Sequence, residues 1–180
     1  MNRIFVLSEE DTKSLLEMEE VIETVENVYK EKSLGSGKVF PLVFHEFERA
    51  VADMDIKSGT LDAMCVYGLK LVSWFGENQK KNIPALSGSV MIFDRETGLP
   101  LGLINAEHMT GMRTGAAGAI GAKVLARKDS EVMLMVGAGH QAAYQIRAMQ
   151  TVFPNLKKVM VHDPIQFENA SRFVKDFSYK

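Results

Sequence analysis

The sequence predicts an α/β protein in two parts: a mixed α/β region over residues 1–105, then the opening half of a doubly wound parallel-sheet domain over residues 131–180. Three observations carry this. Between Lys38 and Asp94 the apolar residues fall in strand-like runs, VFPLVFHEF, AVADMDIKSG, MCVYGLKLVSWFG and LSGSVMIFD, punctuated by Gly, Asn and Pro. From Ala106 to Ala126, AEHMTGMRTGAAGAIGAKVLA has helical period and a heavy load of small residues. Finally EVMLMVGAGHQAAYQIRAMQ, Glu131 to Gln150, reads as an apolar strand that breaks at Gly137-Ala138-Gly139 and restarts as a helix.

Taken in order, Arg3 to Leu7 predicts a short strand, and Ser8-Glu9-Glu10-Asp11 fits a capping box that opens a helix. Met18 to Lys32 places Val21, Ile22, Val25, Val28 and Tyr29 on one helical face, and Gly35-Ser36-Gly37 ends that unit as a loop. In ADMDIKSG the polar Asp53, Asp55 and Lys57 alternate with Ala52, Met54 and Ile56. Alternation alone explains a half-buried strand with a solvated charged face, and this reading is preferred to a catalytic carboxylate pair. Asp94 to Gly98 is a hairpin turn. The small-residue helix and its spacer, residues 106–130, link the two parts. LKKVMVHDP predicts a further strand and IQFENASRFVKDFS a further helix.

Composition narrows the function classes. With 180 residues, 46% apolar and 24% charged, the chain has the make-up of a globular protein able to build a core. A net charge of −2 gives no reason to expect nucleic acid or an anionic membrane as partner. The single Cys65 allows no internal disulfide, and its apolar context AMCVYG points to a buried inert thiol. His45, His108 and His162 have no spacing that suggests a metal site and are read as structural. The eleven methionines are scattered and read as core filler. The N-terminus is too polar for a signal peptide, and no run approaches a membrane span, so a cytoplasmic setting is expected.

The glycine turn is the main chemical signal. Gly137-Ala138-Gly139-His140-Gln141-Ala142 matches G-x-G-x-x-A, with the required strand before it and helix after it. Gly137 makes the tight turn and Gly139 admits a pyrophosphate to the backbone. Ala142 allows close helix–strand packing, and the helix N-terminus favours anionic phosphates. Asp163, at the end of the next strand, is placed to take the adenosine ribose hydroxyls, which favours NAD over NADP. The rival reading is an ordinary strand–turn–helix. The expected fold class is therefore an α/β N-terminal domain followed by the first half of a Rossmann-type NAD(P)-binding domain. His140 reads as a position beside the cofactor rather than a general base.

Two cations stand upstream. Arg113 lies among glycines and alanines, where a carboxylate ligand can approach its planar fork, or it is a surface arginine. Lys70 interrupts the apolar strand GLKLVSW, either as an edge-strand gatekeeper or as a functional amine.

GLKLVSWFGENQ, DRETGLPLG, MTGMRTGAAGAIGAKVLA, VGAGHQA and VHDP occur in the order seen in the ornithine cyclodeaminase/μ-crystallin family, which the chain resembles over nearly its whole length. The resemblance implies that Lys70 and Arg113 contact a small amino-acid substrate and serve catalysis. It implies that Arg113, Thr114, Gly137, Gly139, His140, Gln141 and Asp163 surround NAD, and that the N-terminal domain forms a homodimer. It further implies NAD-dependent hydride transfer through an imine, converting L-ornithine to L-proline and ammonia. The alternatives are an alanine dehydrogenase-like or imine/ketimine reductase activity of the same family, or a non-catalytic binding or assembly module.

Three departures from the family pattern stand out. Pro41 is followed by Leu42 and Val43, so the family's Pro-x-Arg carboxylate clamp is absent or replaced. Ala85 stands where relatives often carry a threonine near the cofactor. The family's catalytic aspartate belongs downstream of Lys180. The expectation is thus a truncated chain with little cyclodeaminase activity and weak NAD(H) binding by itself.

Overall fold

The computed structural model describes residues 3–177. Residues 1–2 of the first expected domain and 178–180 of the second lie outside these, and with them the end of the last expected helix at Ser178. The chain divides into two compact units. One runs through Leu15 and resumes over Asn27–Met109; the other comprises Leu16–Glu26 and the residues from Thr110 on.

The first unit is a seven-stranded sheet. In chain order its strands are β1 (Phe5–Leu7), β2 (Gly37–Val39), β3 (Val43–Glu48), β4 (Ala52–Leu61), β5 (Val66–Phe75), β6 (Leu86–Asp94) and β7 (Pro100–Asn105). Their spatial order is β1-β7-β6-β5-β4-β2, with β3 also paired to β4. All pairs are antiparallel except β1 with β7. The run VFPLVFHEF is split into β2 and β3 around Pro41, which has no N–H to give a ladder.

Helix α1 (Glu9–Leu15) starts as its capping box demands: Ser8 Oγ accepts from the Asp11 N–H at 3.1 Å while the Ser8 N–H donates to Asp11 Oδ2 at 2.8 Å. The β6–β7 turn is held by Asp94 Oδ1, which accepts from the amides of Glu96 and Thr97 and from the Thr97 hydroxyl.

Cys65 departs from expectation. It sits in the turn before β5 rather than inside a strand, in the left-handed region at φ 54°, and is half-buried. Desolvation, then the nearby Glu96 and Asp94 carboxylates, push its thiol pKa up, which disfavours the nucleophilic thiolate.

Sheet register fixes the faces. Lys57 stands opposite Lys70, and Lys70 opposite Val90, so these three share one face with Asp53 and Asp55. Asp55 and Lys57 pair at 2.6 Å. The opposite face carries Val6, Val43, Leu71, Phe75, Leu101 and Leu103, all exposed.

The second unit contains α3 (Glu107–Leu125) from Thr110 on, and the first turns of α2 (Met18–Leu34). It continues with β8 (Val132–Val136), α4 (His140–Val152), β9 (Lys158–His162) and α5 (Phe167–Asp176). β8 and β9 pair in parallel with α4 between them, a βαβ unit. Its core joins Ile22, Ala116, Ala119 and Ala148, with Ile146 almost fully enclosed.

Candidate functional site

In the second unit β8 ends at Val136 and the chain turns sharply at Gly137, whose φ of +96° is strained for any residue with a Cβ. The Gly137 N–H donates to the His162 carbonyl at 2.7 Å, which ties the turn to the end of β9. Gly139 is extended, at φ −82° and ψ −176°, so its role is space rather than conformation. A Cβ built on Gly137 or Gly139 would meet nothing within 4 Å, so the ground above the turn is open. Gly139 is also the N-cap of α4, and neither a side-chain cap nor an acidic residue occupies that helix start. Amide dipoles at a helix start that carries no side-chain cap and no acid in its first turn are a setting that suits a pyrophosphate. The residues present therefore fit a dinucleotide.

Asp163 follows β9 and faces the turn. Its Oδ1 accepts from the amides of Ile165 (3.0 Å) and Gln166 (2.9 Å), and its Oδ2 accepts from the Ala138 N–H at 3.3 Å. The Gln166 and Ile165 amides are the main cause of a pKa below the ordinary aspartate value, with Ala138 and Asn169 adding to it against some desolvation. Asp163 thus does something the sequence did not disclose: it staples the glycine turn.

The pH consequence follows from the sign of that shift. The folded pKa lies below the unfolded one, so the contribution to stability is complete above about pH 4 and is lost as pH falls through the depressed folded value. Carbon-detected titration of the Asp163 carboxyl should give a midpoint below that of a free aspartate. A midpoint at or above the free value would contradict the staple.

The glycine-rich helix meets a protein neighbour, not open space. Gly111, Gly115 and Gly118 lie on one face of α3, and a Cβ on any of them would collide with Tyr144 or Gln145 of α4. At Gly115 the obstacle is backbone: the Tyr144 carbonyl oxygen would lie 2.6 Å away. Two glutamines clasp the same seam. Gln141 Nε2 donates to the Gly111 carbonyl at 3.0 Å, and Gln145 Nε2 donates to the Thr114 carbonyl at 3.1 Å. Gln141, expected beside the cofactor, therefore anchors the start of α4 to α3, two residues before Arg113.

Arg113 projects from α3 exposed to solvent, and Thr114 is half-buried with its carbonyl in the clasp. His140 is exposed at the first position of α4, its ring 5.3 Å from that of Tyr144. Hence Arg113, Thr114, Gly137, Gly139, His140, Gln141 and Asp163 all belong to the second unit.

Lys70 belongs to the first unit, half-buried at the centre of β5. It is on an interior strand between β4 and β6, which removes the edge-gatekeeper reading. It lines a cavity of about 790 Å³ over the Lys57–Lys70–Val90 face, closed on one side by Val28 and Tyr29 of α2. No group of three or more His, Cys, Asp or Glu able to hold a metal occurs among the described residues. Nor is any helix there long and apolar enough to cross a membrane.

The functional features missed by sequence reasoning are the Asp163 staple, the glutamine clasp and the groove. Only the second had a local signal: glycines at 111, 115 and 118 and glutamines at 141 and 145 each follow helical spacing.

The chain is similar to alanine dehydrogenase of Archaeoglobus fulgidus, 35% identical over 169 residues that cover 94% of the chain and 51% of that enzyme. Among solved structures it resembles Thermococcus litoralis Δ1-pyrroline-2-carboxylate reductase in complex with NADH and L-proline, with TM-score 0.89 and 36% identity over 96% of the chain and 53% of that protein. It also resembles an archaeal alanine dehydrogenase dimer with bound NAD, with TM-score 0.88 and 35% identity over 96% of the chain and 52% of that protein. The chain thus spans about half the length of these relatives. The family model for ornithine cyclodeaminase/mu-crystallin matches residues 3–179, and the chain belongs to that family.

Proposed function

We propose that this chain carries substrate- and cofactor-binding residues of an NAD(H)-linked oxidoreductase acting on a small amino or imino acid. The observation that carries this is the glycine turn: open ground over Gly137 and Gly139, an uncapped α4, and an ionised Asp163 at the end of β9. The Asp163 charge disfavours a ribose 2′-phosphate, so NAD is preferred to NADP. Bound NAD(H) supplies the hydride. The chain's own residues bind and orient: in the second unit Arg113 presents a permanently charged fork to a carboxylate, and in the first unit Lys70 supplies a cation that contacts the substrate. Thr114, His140 and Gln141 border the dinucleotide, the glutamine chiefly by fixing α4.

Redox conversion is preferred to cyclodeamination of ornithine. The relatives at 35–36% identity are named a dehydrogenase and a reductase, and the Pro-x-Arg carboxylate clamp is replaced by Pro41-Leu42-Val43. The longest native polypeptide carrying these residues should oxidise NADH when given a 2-oxo acid with ammonium, or a cyclic imino acid. No turnover across such a panel would reject the reading.

The chain is also proposed to form a homodimer through the exposed apolar sheet face. Val6 (70% exposed) and Val43 (50%) flank Leu71, Phe75, Leu101 and Leu103 there, and so large an apolar face on a monomer marks an interface. Sedimentation should give a dimer, and Leu71→Asp should give a monomer; a monomeric parent chain would refute this.

A further inference from the structure

The groove beside Lys70 has a one-sided character. Its wall is built from Val28, Phe40, Leu61, Val66, Val90 and Ile92. Four lysines also border it, Lys32, Lys38, Lys57 and Lys70, and no aspartate or glutamate does so among the described residues. The acids near it on that face by register are Asp55, already paired with Lys57 at 2.6 Å, and Asp94, opposite Val66, whose Oδ1 is taken by the amides and hydroxyl of the β6–β7 turn. Such a site offers cations for a carboxylate and apolar contact for whatever that carboxylate carries. A second ammonium would be desolvated against hydrocarbon, with no counter-charge and several like charges around it.

We propose that this groove selects a carboxylate substrate with an apolar, uncharged side chain larger than a methyl group, and rejects diamino acids. The proposal rests on the function given above and names the substrate class of the same site. The cavity, about 790 Å³, is of the size that holds whole small ligands and far exceeds what a methyl side chain fills. Discrimination falls on the far end of the side chain. The lysines attract every carboxylate alike, so only the apolar wall tells one amino acid from another.

L-norleucine and L-ornithine make a matched pair, because their side chains have the same length and differ only in a terminal methyl against a terminal ammonium. Their α-amino and carboxylate groups cancel in the comparison. Calorimetric or NMR titration of the 180-residue chain with each should give at least about tenfold tighter binding of L-norleucine, with L-alanine weaker than L-norleucine. Tyr29→Glu places a carboxylate on the groove wall at an exposed helical position, and should narrow the norleucine-to-ornithine ratio several-fold without loss of folding. Lys70→Met separates the two levels of the argument. Binding that depends on Lys70 but favours L-ornithine overturns the side-chain preference and leaves the function standing. L-norleucine binding that survives Lys70→Met, or no binding of either amino acid, overturns the role of Lys70 and the preference built on it.

Discussion

Replacing Arg113 with alanine should lower kcat/KM of the longest native polypeptide by about 10²–10³-fold, without lowering its thermal stability. The size follows from removing one member of a charge-assisted pair, which costs about 2–5 kcal/mol when the other charge is left without its partner. The unchanged stability follows from the exposure of Arg113 on α3, since substitutions at such positions alter stability by about 0.5 kcal/mol or less. Arg113→Lys should recover only part of the rate, because an ammonium cannot present two parallel N–H donors to a carboxylate. A rate equal to that of the parent would remove Arg113 from the site. A large fall in melting temperature would mean the residue serves the fold.

The second large effect is structural. Gly115→Val should destabilise the second unit by about 2–4 kcal/mol, because its Cβ would press on the Tyr144 carbonyl and force α3 and α4 apart. Helix propensity acts in the opposite direction: valine is a better helix former than glycine, by a few tenths of a kcal/mol. The clash wins because its partner is backbone and cannot swing away. At Gly111 the obstacle is the Tyr144 ring, a side chain that can rotate, so the same change there should cost less. Gly121 is the internal control. A Cβ there meets nothing within 4 Å, and Gly121→Ala should stabilise the helix by about 0.5–1 kcal/mol. In a unit of this size each kcal/mol moves Tm by about 4–8 °C. Equal melting temperatures for the two variants would contradict the close seam between α3 and α4. That seam matters for function because it fixes α3, which carries Arg113, against the helix that begins at the glycine turn.

Much of the fold was legible because its signals are local. Period-two runs placed β4, β5 and β6, the capping box placed the start of α1, and Asp94 to Gly98 placed the β6–β7 turn. Pro41 was equally local, and the missing N–H that splits β2 from β3 was there to be read. Cys65 was misplaced for the opposite reason. An apolar run masks a turn when the strained position is filled by neither glycine nor asparagine, here at φ 54°.

The site was legible only in its parts. The glycine turn announces itself through strand, turn and helix, whereas the Asp163 bond to the Ala138 amide spans 25 residues and has no signature in spacing. The small residues of α3 were compatible with a ligand or with a neighbouring backbone. The three-dimensional answer is backbone, at Tyr144. Lys70 illustrates the same limit. Whether it sits on an edge or an inner strand is decided by sheet order, and only its position between β4 and β6 settles that question. The groove around it collects residues from α2, β2, β4, β5 and β6, so no single stretch of sequence describes it.

The most direct test of the proposed oxidoreductase follows two products at once. The longest native polypeptide is given NAD with a panel of amino acids, including L-norleucine, L-alanine, L-proline and L-ornithine, while NADH absorbance and ammonia release are recorded together. The account predicts net NADH formation, matched by ammonia for an acyclic amino acid and without ammonia for a cyclic one. Ammonia released from L-ornithine with no net NADH would contradict it and return the protein to cyclodeamination.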